Sequence, residues 1–289
     1  MRHGFGVVAA LMALQAAPAY AERDPHSGAP TRPDEKYEIP SPITDHFYIR
    51  GTFFSSHVRT DLRVDPRANG PGAPVPGTLV SGERDLGLDA HRNEGRIEFM
   101  FRLRERSRLR VDYFQSERRG DQAIPRDIQF GDETFTTGDV VASEVDWRSF
   151  GLSYTYSFIR NDRIELGAGL ALSAIDAQAR GSTVHNGTLL RQDKSGAGAF
   201  PTIPVDFTWR VTRRLAFTAR GQYFHASIGG FDGSLAEYHA DVQWRAWRNL
   251  AFGAGYTMIR AILDVSASNF PGLFRLSVKG PEAFFRVSF

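Results

Sequence analysis

The sequence predicts an all-β fold, an antiparallel up-and-down transmembrane β-barrel of about ten strands. From His46 onward, apolar and polar residues alternate with a period of two, as in strands that face lipid on one side and a lumen on the other. Short and long connections take turns between the segments. Aromatic residues make up 12% of the chain although its mean hydropathy is negative, which fits apolar residues confined to one strand face. Eight or twelve strands remain open, because single-strand signals are weak.

The first 45 residues are predicted to precede the barrel. A short basic start leads into an apolar run over residues 7–17, and residues 19–21, Ala-Tyr-Ala, fit the cleavage rule of secretory signal peptides. This run is shorter than the roughly 20 residues that cross a bilayer as a helix, so a signal peptide over residues 1–21 is favoured over an anchor. Residues 22–45 are rich in Pro, Ser, Asp and Glu, which predicts a flexible periplasmic leader before a barrel over residues 46–289.

Alternating apolar residues define the first five strands. In chain order these residues are Phe47, Ile49 and Phe53; Ile97, Phe99, Phe101 and Leu103; Leu109, Val111 and Tyr113; Phe150, Leu152, Tyr154, Tyr156 and Phe158; and Ile164, Leu166, Ala168, Leu170 and Leu172. The same pattern predicts the next four strands. Their residues are Ile203, Val205, Phe207, Trp209 and Val211; Leu215, Phe217, Ala219 and Tyr223; Tyr238, Ala240, Val242 and Trp244; and Leu250, Phe252, Ala254, Tyr256 and Met258.

The tenth strand is predicted to run from near Leu273 to Phe289. Its apolar residues change parity between Val278 and Ala283, which predicts a β-bulge at Gly280-Pro281. An aromatic residue at the end of such a strand is similar to the sorting signal of Gram-negative outer-membrane proteins. Phe289 therefore indicates an outer-membrane destination.

The connection lengths predict the topology. Turns near residues 105, 161, 213 and 248 are short, whereas the connections after the first, third and fifth strands are long and rich in Gly, Asp, Pro and Thr. Outer-membrane barrels place short turns in the periplasm and long loops outside. An even strand count then returns both termini to the periplasm. Some alternation persists over residues 77–88 and 130–145, so hairpins are expected to extend above the membrane.

The inward register of the predicted strands carries many charges of both signs. The predicted lumen network comprises Arg50, Arg96, Glu98, Arg102, Arg110, Asp112, Glu165, Asp206, Arg210, Arg220, Glu237, Asp241, Arg245 and Arg286, with Arg104, Arg108, His239 and Glu282 in the same register. A barrel of about ten strands leaves little room for a water column around so many side chains. We expect a structural charge network. A narrow channel for small solutes stays open as an alternative, with a preference for anions because arginine outnumbers carboxylate.

His225 and Ser227 are the only weak catalytic candidates. Lipid A deacylases use a His-x-Ser pair on one strand, and a spacing of two places both side chains on one face. A nucleophilic serine also needs an oriented base, but the nearest strand acids, Glu237 and Asp241, fall in the inward register. A polar rim is therefore favoured over a lipid A-modifying hydrolase, and no enzyme activity is expected.

Composition excludes several other classes. The chain has no cysteine, which excludes a disulfide framework and a thiolate metal site. Its 35 basic and 33 acidic residues leave a net charge of +2, so nothing indicates nucleic acid. We expect no cofactor and no metal. The expected partners are outer-membrane lipid, including lipopolysaccharide, and the barrel-assembly machinery during insertion, with the protein itself a monomer.

Four segments carry a family resemblance. Residues 82–89 (GERDLGLD), 101–104 (FRLR), 130–135 (FGDETF) and 154–158 (YTYSF) are similar to a family of uncharacterised bacterial outer-membrane β-barrel proteins. The resemblance covers most of the chain after the predicted signal peptide, and it extends broadly to outer-membrane protein A-type barrels. It implies an integral outer-membrane barrel with a structural or loop-presenting role. It supplies no catalytic or binding residues, and without a peptidoglycan-binding domain after the barrel it does not imply wall anchoring.

Overall fold

A computed structural model describes residues 41–66, 76–130, 133–185, 188–266 and 272–289. The predicted signal peptide, and the predicted leader up to residue 40, lie outside the described residues. Within those ranges, none of the helical structure is long and apolar enough to cross a membrane. In chain order the elements are β1 (Phe47–Val64), β2 (Val80–Ser81), α1 (Gly82–Asp85), β3 (His91–Arg104), β4 (Ser107–Ala123), β5 (Ile128–Phe130), β6 (Glu133–Phe135), β7 (Val140–Arg160), β8 (Ile164–His185), β9 (Thr188–Arg210), β10 (Leu215–Ile228), β11 (Phe231–Arg245), β12 (Leu250–Val265) and β13 (Gly272–Ser288).

Ten long strands close into one barrel. The ring order is β1, β3, β4, then β7 through β13, and every neighbouring pair is antiparallel. The last strand pairs with the first from Tyr48↔Ser288 to Val64↔Gly272. Closure satisfies the backbone of both outer strands, which is the condition for a sheet to lie in lipid. The predicted ten-stranded antiparallel barrel is confirmed.

The two ends of the barrel differ in their connections. At one end, which we call the short-turn end, residues 105–106, 161–163, 211–214 and 246–249 join consecutive strands. Side chains form these turns: the Asn161 Oδ1 atom accepts hydrogen bonds from the amides of Arg163 (2.9 Å) and Ile164 (2.8 Å), and the Thr212 Oγ1 atom accepts from Leu215 (3.0 Å). The strands run much further at the opposite end, which we call the extended end.

The inward and outward faces exchange character along the barrel. Near the short-turn end, the inward Arg50 of β1 is buried and the outward Phe53 is exposed. Further along the same strand, the inward Val58 is buried and the outward Arg59 is exposed. A strand in lipid needs an apolar outer face, whereas a strand in water needs an apolar inner one. The exchange therefore marks the level at which the barrel leaves its membrane-facing band.

The same exchange explains the parity change in β13, where the predicted bulge is wrong. Pairing with β12 passes through Gly280 and Pro281 without a register shift. The outward side chain changes from Phe285 to Lys279, while the inward one changes from Glu282 to Val278. The backbone stays regular because it is the surroundings of the strand that change, from lipid to water outside and from charged to apolar inside.

A short segment fills a gap between β3 and β4 at the extended end. Pairing of these strands ends at Arg96↔Phe114, beyond which β4 continues along β7 as far as Ala123. The segment from β2 through α1 enters the gap, and its apolar residues pack with β7 and with the hairpin β5–β6. This small core comprises Val80, Leu86, Ile124, Ile128, Phe135 and Val141.

Hydrogen bonds and two glycines fix this segment. The Asp85 carboxylate accepts from the Ser81 amide at 2.8 Å and the Ser81 hydroxyl accepts from the Arg84 amide at 3.5 Å, a reciprocal cap. Gly87 has φ +67°, a conformation that favours glycine. A Cβ atom at Gly120 would lie 2.3 Å from the Gly87 carbonyl oxygen, so the close approach of the two backbones requires glycine there.

Candidate functional site

A turn from the predicted leader closes the lumen at the short-turn end. The amides of Thr44 (2.9 Å) and Asp45 (3.0 Å) both donate to the Ser41 carbonyl oxygen, and Asp45 is buried inside the barrel mouth. Its carboxylate accepts hydrogen bonds from Arg245 and Arg286, each at 2.6 Å. Residues 41–45 thus belong to the packed barrel, although they lie within the stretch predicted as a leader.

Further into the lumen, the next ion pairs form around Glu165, and those after them form around Asp206. Arg102 binds Glu165 through both oxygens, at 2.8 and 3.0 Å, and the Ser157 hydroxyl donates to the same carboxylate at 2.6 Å. One level higher, Arg110 holds Asp206 through two hydrogen bonds of 3.2 Å. Bidentate arginine–carboxylate contacts fix both partners in orientation, so these pairs are rigid cross-braces between distant strands.

Three more carboxylates extend the network toward the extended end. Glu98 accepts from Arg220 at 2.6 Å, and Arg50 bridges Asp241 (2.7 Å) and Glu282 (2.6 Å).

Above them, Glu237 accepts from Arg96 at 2.6 Å and contacts His239 at 2.7 Å. Asp112 lies on the same side of the lumen, where a Cβ atom at Gly151 would meet its carboxylate at 2.4 Å.

Aromatic rings support the guanidinium groups. Arg50 stacks on Phe284 at 3.6 Å from the ring centroid, and Arg286 stacks on Tyr48 at 3.7 Å. The Phe284 ring needs the space left by Gly253, because a Cβ atom there would lie 2.2 Å from it. These cation–π contacts add to the ion pairs of the two buried arginines. We call the assembly of Asp45 and the lumen charges the charged plug.

The charged plug is electrically balanced. Among the described residues its central members are eight arginines and eight carboxylates: Arg50, Arg96, Arg102, Arg108, Arg110, Arg220, Arg245 and Arg286, with Asp45, Glu98, Asp112, Glu165, Asp206, Glu237, Asp241 and Glu282. Arg160, 3.9 Å from Glu165, and the buried Glu94 add one charge of each sign. Of the other predicted lumen residues, Arg210 is half-buried near a short turn and Arg104 is exposed there. The arginine excess that favoured anions is therefore missing from the plug.

The plug leaves little free volume. Two cavities within it measure about 30 and 20 Å³. The first is lined by Arg108, Arg110 and Asp206, the second by Arg96 and Asp112. Spaces of this size hold one or two water molecules. A solute larger than water would have to break ion pairs to pass.

The lumen changes abruptly above the plug. Apolar side chains from β1, β4, β7, β11, β12 and β13 form a floor of Phe54, Val58, Phe114, Trp147, Leu235, Ile259, Leu276 and Val278. Beyond this floor lies a cavity of about 500 Å³, which we call the apolar chamber. Its wall includes Leu62, Trp147, Ile175, Phe200, Phe224, Leu235, Ala261 and Phe274. The chamber is absent from the sequence-based expectations, although the parity change in the tenth strand is its signal.

The hydrolase candidates lie away from both features. His225 and Ser227 are exposed on the outward face of β10. Across the ladder Ser227 faces Asp232, and His225 faces Ser234. Glu237 points into the lumen, where Arg96 and His239 hold it. In the described part of these strands no hydrogen bond joins His225 to Ser227 or to an acid, so the arrangement contains no base–nucleophile pair.

An acidic cluster on the outer surface has its own counter-charges. Oxygens of Glu117, Glu144 and Asp146 lie within 4.8 Å of one another. Arg119 contacts Glu117 at 2.6 Å and Glu144 at 3.2 Å, and Arg180 contacts Glu144 at 3.2 Å. The Arg180 hydrogen bond holds the pKa of Glu144 below its usual value. The guanidinium groups supply the positive charge that a cation would otherwise bring.

Comparison with solved structures finds bacterial outer-membrane barrels. The outer membrane protease OmpT from Escherichia coli is 12% identical with a TM-score of 0.51, covering 84% of this chain and 96% of that one. OprG from Pseudomonas aeruginosa is 11% identical with a TM-score of 0.36, covering 84% and 95%. Ail of Yersinia pestis is 10% identical with a TM-score of 0.30, covering 82% and 98%. At such identities the likeness concerns the fold.

No protein-family model matches the chain, and no curated protein matches it in sequence. The resemblance to the uncharacterised family therefore stays a prediction. The broader class is supported by the closed ten-stranded barrel itself: the chain has the fold of a bacterial outer-membrane β-barrel protein.

Proposed function

We infer that this protein is an integral outer-membrane barrel of a Gram-negative bacterium whose lumen is sealed, and that it acts through its extended end as a structural or binding element. The observation that carries this proposal is the charged plug, in which paired charges leave cavities of only about 30 and 20 Å³. Moving an ion through such a plug would require breaking several hydrogen-bonded ion pairs in a low-dielectric lumen. We therefore favour a sealed lumen over a narrow channel.

The proposed location rests on the outer face. Exposed aromatic and aliphatic residues cover the outward register near the short-turn end, and Arg59 and Lys279 follow on the same face of β1 and β13. This pattern suits a barrel surrounded by lipid up to the level where the faces exchange. The predicted signal peptide and the predicted sorting residue Phe289 agree with it. Lipopolysaccharide would be the lipid partner at the extended end, and the assembly machinery would act during insertion of a monomer.

The same structure argues against the hydrolase. Ser227 and His225 lie on the outer face of β10. A nucleophilic serine needs a hydrogen-bonded base and an acid that orients this base, and the described residues form neither contact. We propose a non-enzymatic role.

Conductance in planar bilayers tests the sealed barrel. The wild type should show no steady current steps under conditions where a general porin conducts. The double variant Arg110→Ser, Asp206→Ser should conduct, because it removes a neutral pair from the middle of the plug and replaces it with small polar side chains. A matched pair on the outer surface, Arg119→Ser with Glu144→Ser, should stay silent. Large steady conductance of the wild type would refute the proposal.

A further inference from the structure

The apolar chamber is a large, half-open pocket rather than an enclosed void. A cavity of about 500 Å³ lies within the range of small-molecule sites. Its floor is tightly packed, since Phe114 and Val58 are each only 2% exposed. The barrel thus keeps a large space open directly above a well-packed floor.

The lining of the chamber restricts the ligand to an uncharged apolar molecule. Trp147 and Phe274 stack with their ring centroids 5.9 Å apart, and Ile175, Leu235 and Ala261 continue the wall. The polar side chains among the lining residues are few, and one of them, Arg63, is already paired with Asp65 at 2.9 Å. A charged group of a ligand would lose its hydration against such a wall without gaining a partner.

The barrel wall beside the chamber is interrupted. Strands β9 and β10 pair from Ala216↔Arg210 to Tyr223↔Ile203. Both continue toward the extended end, yet no further pair joins them among the described residues, even though β10 reaches Ile228 and β9 continues to pair with β8.

A proline lies just beyond the point where the ladder stops. The amide of Arg210 donates to Arg163, on the β8 side. Because amides alternate sides along a strand, the odd-numbered positions of β9 face β10. Position 201 is such a position, and Pro201 has no amide to donate. Pro204 has the opposite parity and faces β8, where the ladder lacks pairs at Pro204 and Ile203 but resumes at Ala171↔Thr202.

The opening leads into the chamber. The chamber wall contains Gly198 and Phe200 from β9 and Phe224 and Ala226 from β10, one set on each side of the interruption. The rings of Phe200 and Phe224 meet across it at 5.6 Å between centroids. The comparable gap between β3 and β4 is filled by backbone, the segment of β2 and α1, whereas this one is spanned by two side chains. Rings can rotate aside at much lower cost than a packed segment can leave.

The height of the opening favours a route from the membrane surface. The outward residues just below it, Ile203 and Tyr223, are apolar or aromatic and exposed, whereas His225 follows on β10. Aromatic rings at this position mark the membrane interface in outer-membrane barrels. On the β9 side the outward residues Pro201, Ala199 and Ala197 are small and apolar, so a lipid-dissolved molecule meets no charged side chain on β9 there.

We propose that the apolar chamber binds an uncharged apolar molecule that reaches it from the membrane surface between β9 and β10, past Phe200 and Phe224. The proposal goes beyond the sealed barrel, since it concerns binding above the plug and requires no passage through it.

Binding is tested with 1-bromonaphthalene, an uncharged heavy-atom quencher, on protein in lipid nanodiscs. A variant with Trp209, Trp244 and Trp247 each changed to Phe retains Trp147 in the chamber. Its fluorescence should be quenched with saturation. A variant that retains only the lipid-facing Trp209 should show linear quenching from probe dissolved in the lipid. Ala261→Phe, which fills the chamber, should raise the dissociation constant of the saturable phase at least tenfold. Ala236→Phe on the outer face should leave this constant unchanged. Linear quenching of Trp147, or no effect of Ala261→Phe, would overturn the proposal.

The route is tested by closing the opening. The chain has no cysteine, so Ala199→Cys with Ser227→Cys can be joined across the interruption by a short bifunctional thiol reagent. This should slow binding at least tenfold, whereas joining Phe207→Cys to Ala219→Cys, within the paired part of the ladder, should not. Pro201→Val should slow binding in the same sense and Pro204→Val should not. Equal rates in all variants would show access from the extended end and overturn the lateral route. These binding experiments do not measure conductance. A result that contradicts the apolar binding site is therefore distinct from a result that contradicts the sealed lumen.

Discussion

Asp45 joins two arginines at the mouth of the barrel, one from β11 and one from β13, the strands on either side of β12. Arg245 and Arg286 each donate to its carboxylate at 2.6 Å, and the side chain is almost fully buried. Asp45→Ala should lower the free energy of unfolding by about 3–5 kcal/mol, because it leaves two buried guanidinium groups without a counter-charge. Urea unfolding in lipid vesicles measures the effect. Glu105→Ala removes an exposed carboxylate at the same end and should cost almost nothing; equal losses in the two variants would contradict the role of Asp45.

Asp146, on the water-exposed outer surface, lies beside two other carboxylates, whereas Asp45 lies between two arginines. Burial, and then the neighbouring carboxylates Glu117 and Glu144, raise its pKa above the usual value. A carboxyl whose pKa is raised in the folded state stabilises the fold below its unfolded pKa and loses that contribution as pH rises through the folded pKa. Asp146→Asn should therefore raise the melting temperature at pH 7 and leave it unchanged near pH 3. A variant that melts lower than the wild type at pH 7 would show that Asp146 is held mainly by Arg180.

The predicted lumen residues show what alternation can and cannot supply. Parity places Arg50, Glu98 and Asp206 on the inward face, and the structure has them there. Parity says nothing of which carboxylate each arginine reaches, because Arg110 and Asp206 are far apart in sequence and meet only when the barrel closes. Asp45 lies outside any strand, so no alternation pointed to it.

At the scale of elements, β13 shows why the chamber was hidden in the sequence. The change from inward Glu282 to inward Val278 follows a regular ladder, but the sequence pattern is the same as that of a bulge. A single strand cannot distinguish the two causes. The exchange on β1 from inward Arg50 to inward Val58 repeats it, and only a common change of surroundings explains two adjacent strands reversing together.

The segment of β2 and α1 depends on the close approach of two backbones. Gly120→Ala should displace this segment from β4, because the added Cβ atom would lie 2.3 Å from the Gly87 carbonyl oxygen. Hydrogen–deuterium exchange of residues 80–88 should become faster while the ten barrel strands keep their protection. Gly95→Ala is a matched control, since a Cβ atom there meets nothing within 4 Å. Unchanged exchange in Gly120→Ala would mean that the hydrogen bonds of Ser81 and Asp85 suffice to hold the segment.

At the scale of the whole molecule, the barrel joins two kinds of β-structure in one set of strands. Its lower part has a lipid-facing apolar exterior and a charged interior. Its upper part has a polar exterior and an apolar interior, as in a water-soluble barrel. The apolar floor lies between the charged plug and the chamber, so within the described ranges the chamber faces the extended end and the side opening.

This division predicts which residues block the lumen. Deleting residues 22–45 removes Asp45 and opens the short-turn end, yet the pairs Arg102–Glu165 and Arg110–Asp206 lie further inside on other strands. The shortened barrel should therefore remain non-conducting, although less stable, since Arg245 and Arg286 become hydrated and lose their shared partner. Adding Arg110→Ser and Asp206→Ser to the deletion should produce current steps larger than those of the double substitution in the full chain, because the mouth no longer narrows the path. Steady current through the deletion variant alone would place the seal in the turn of residues 41–45 and reduce the interior network to a structural brace.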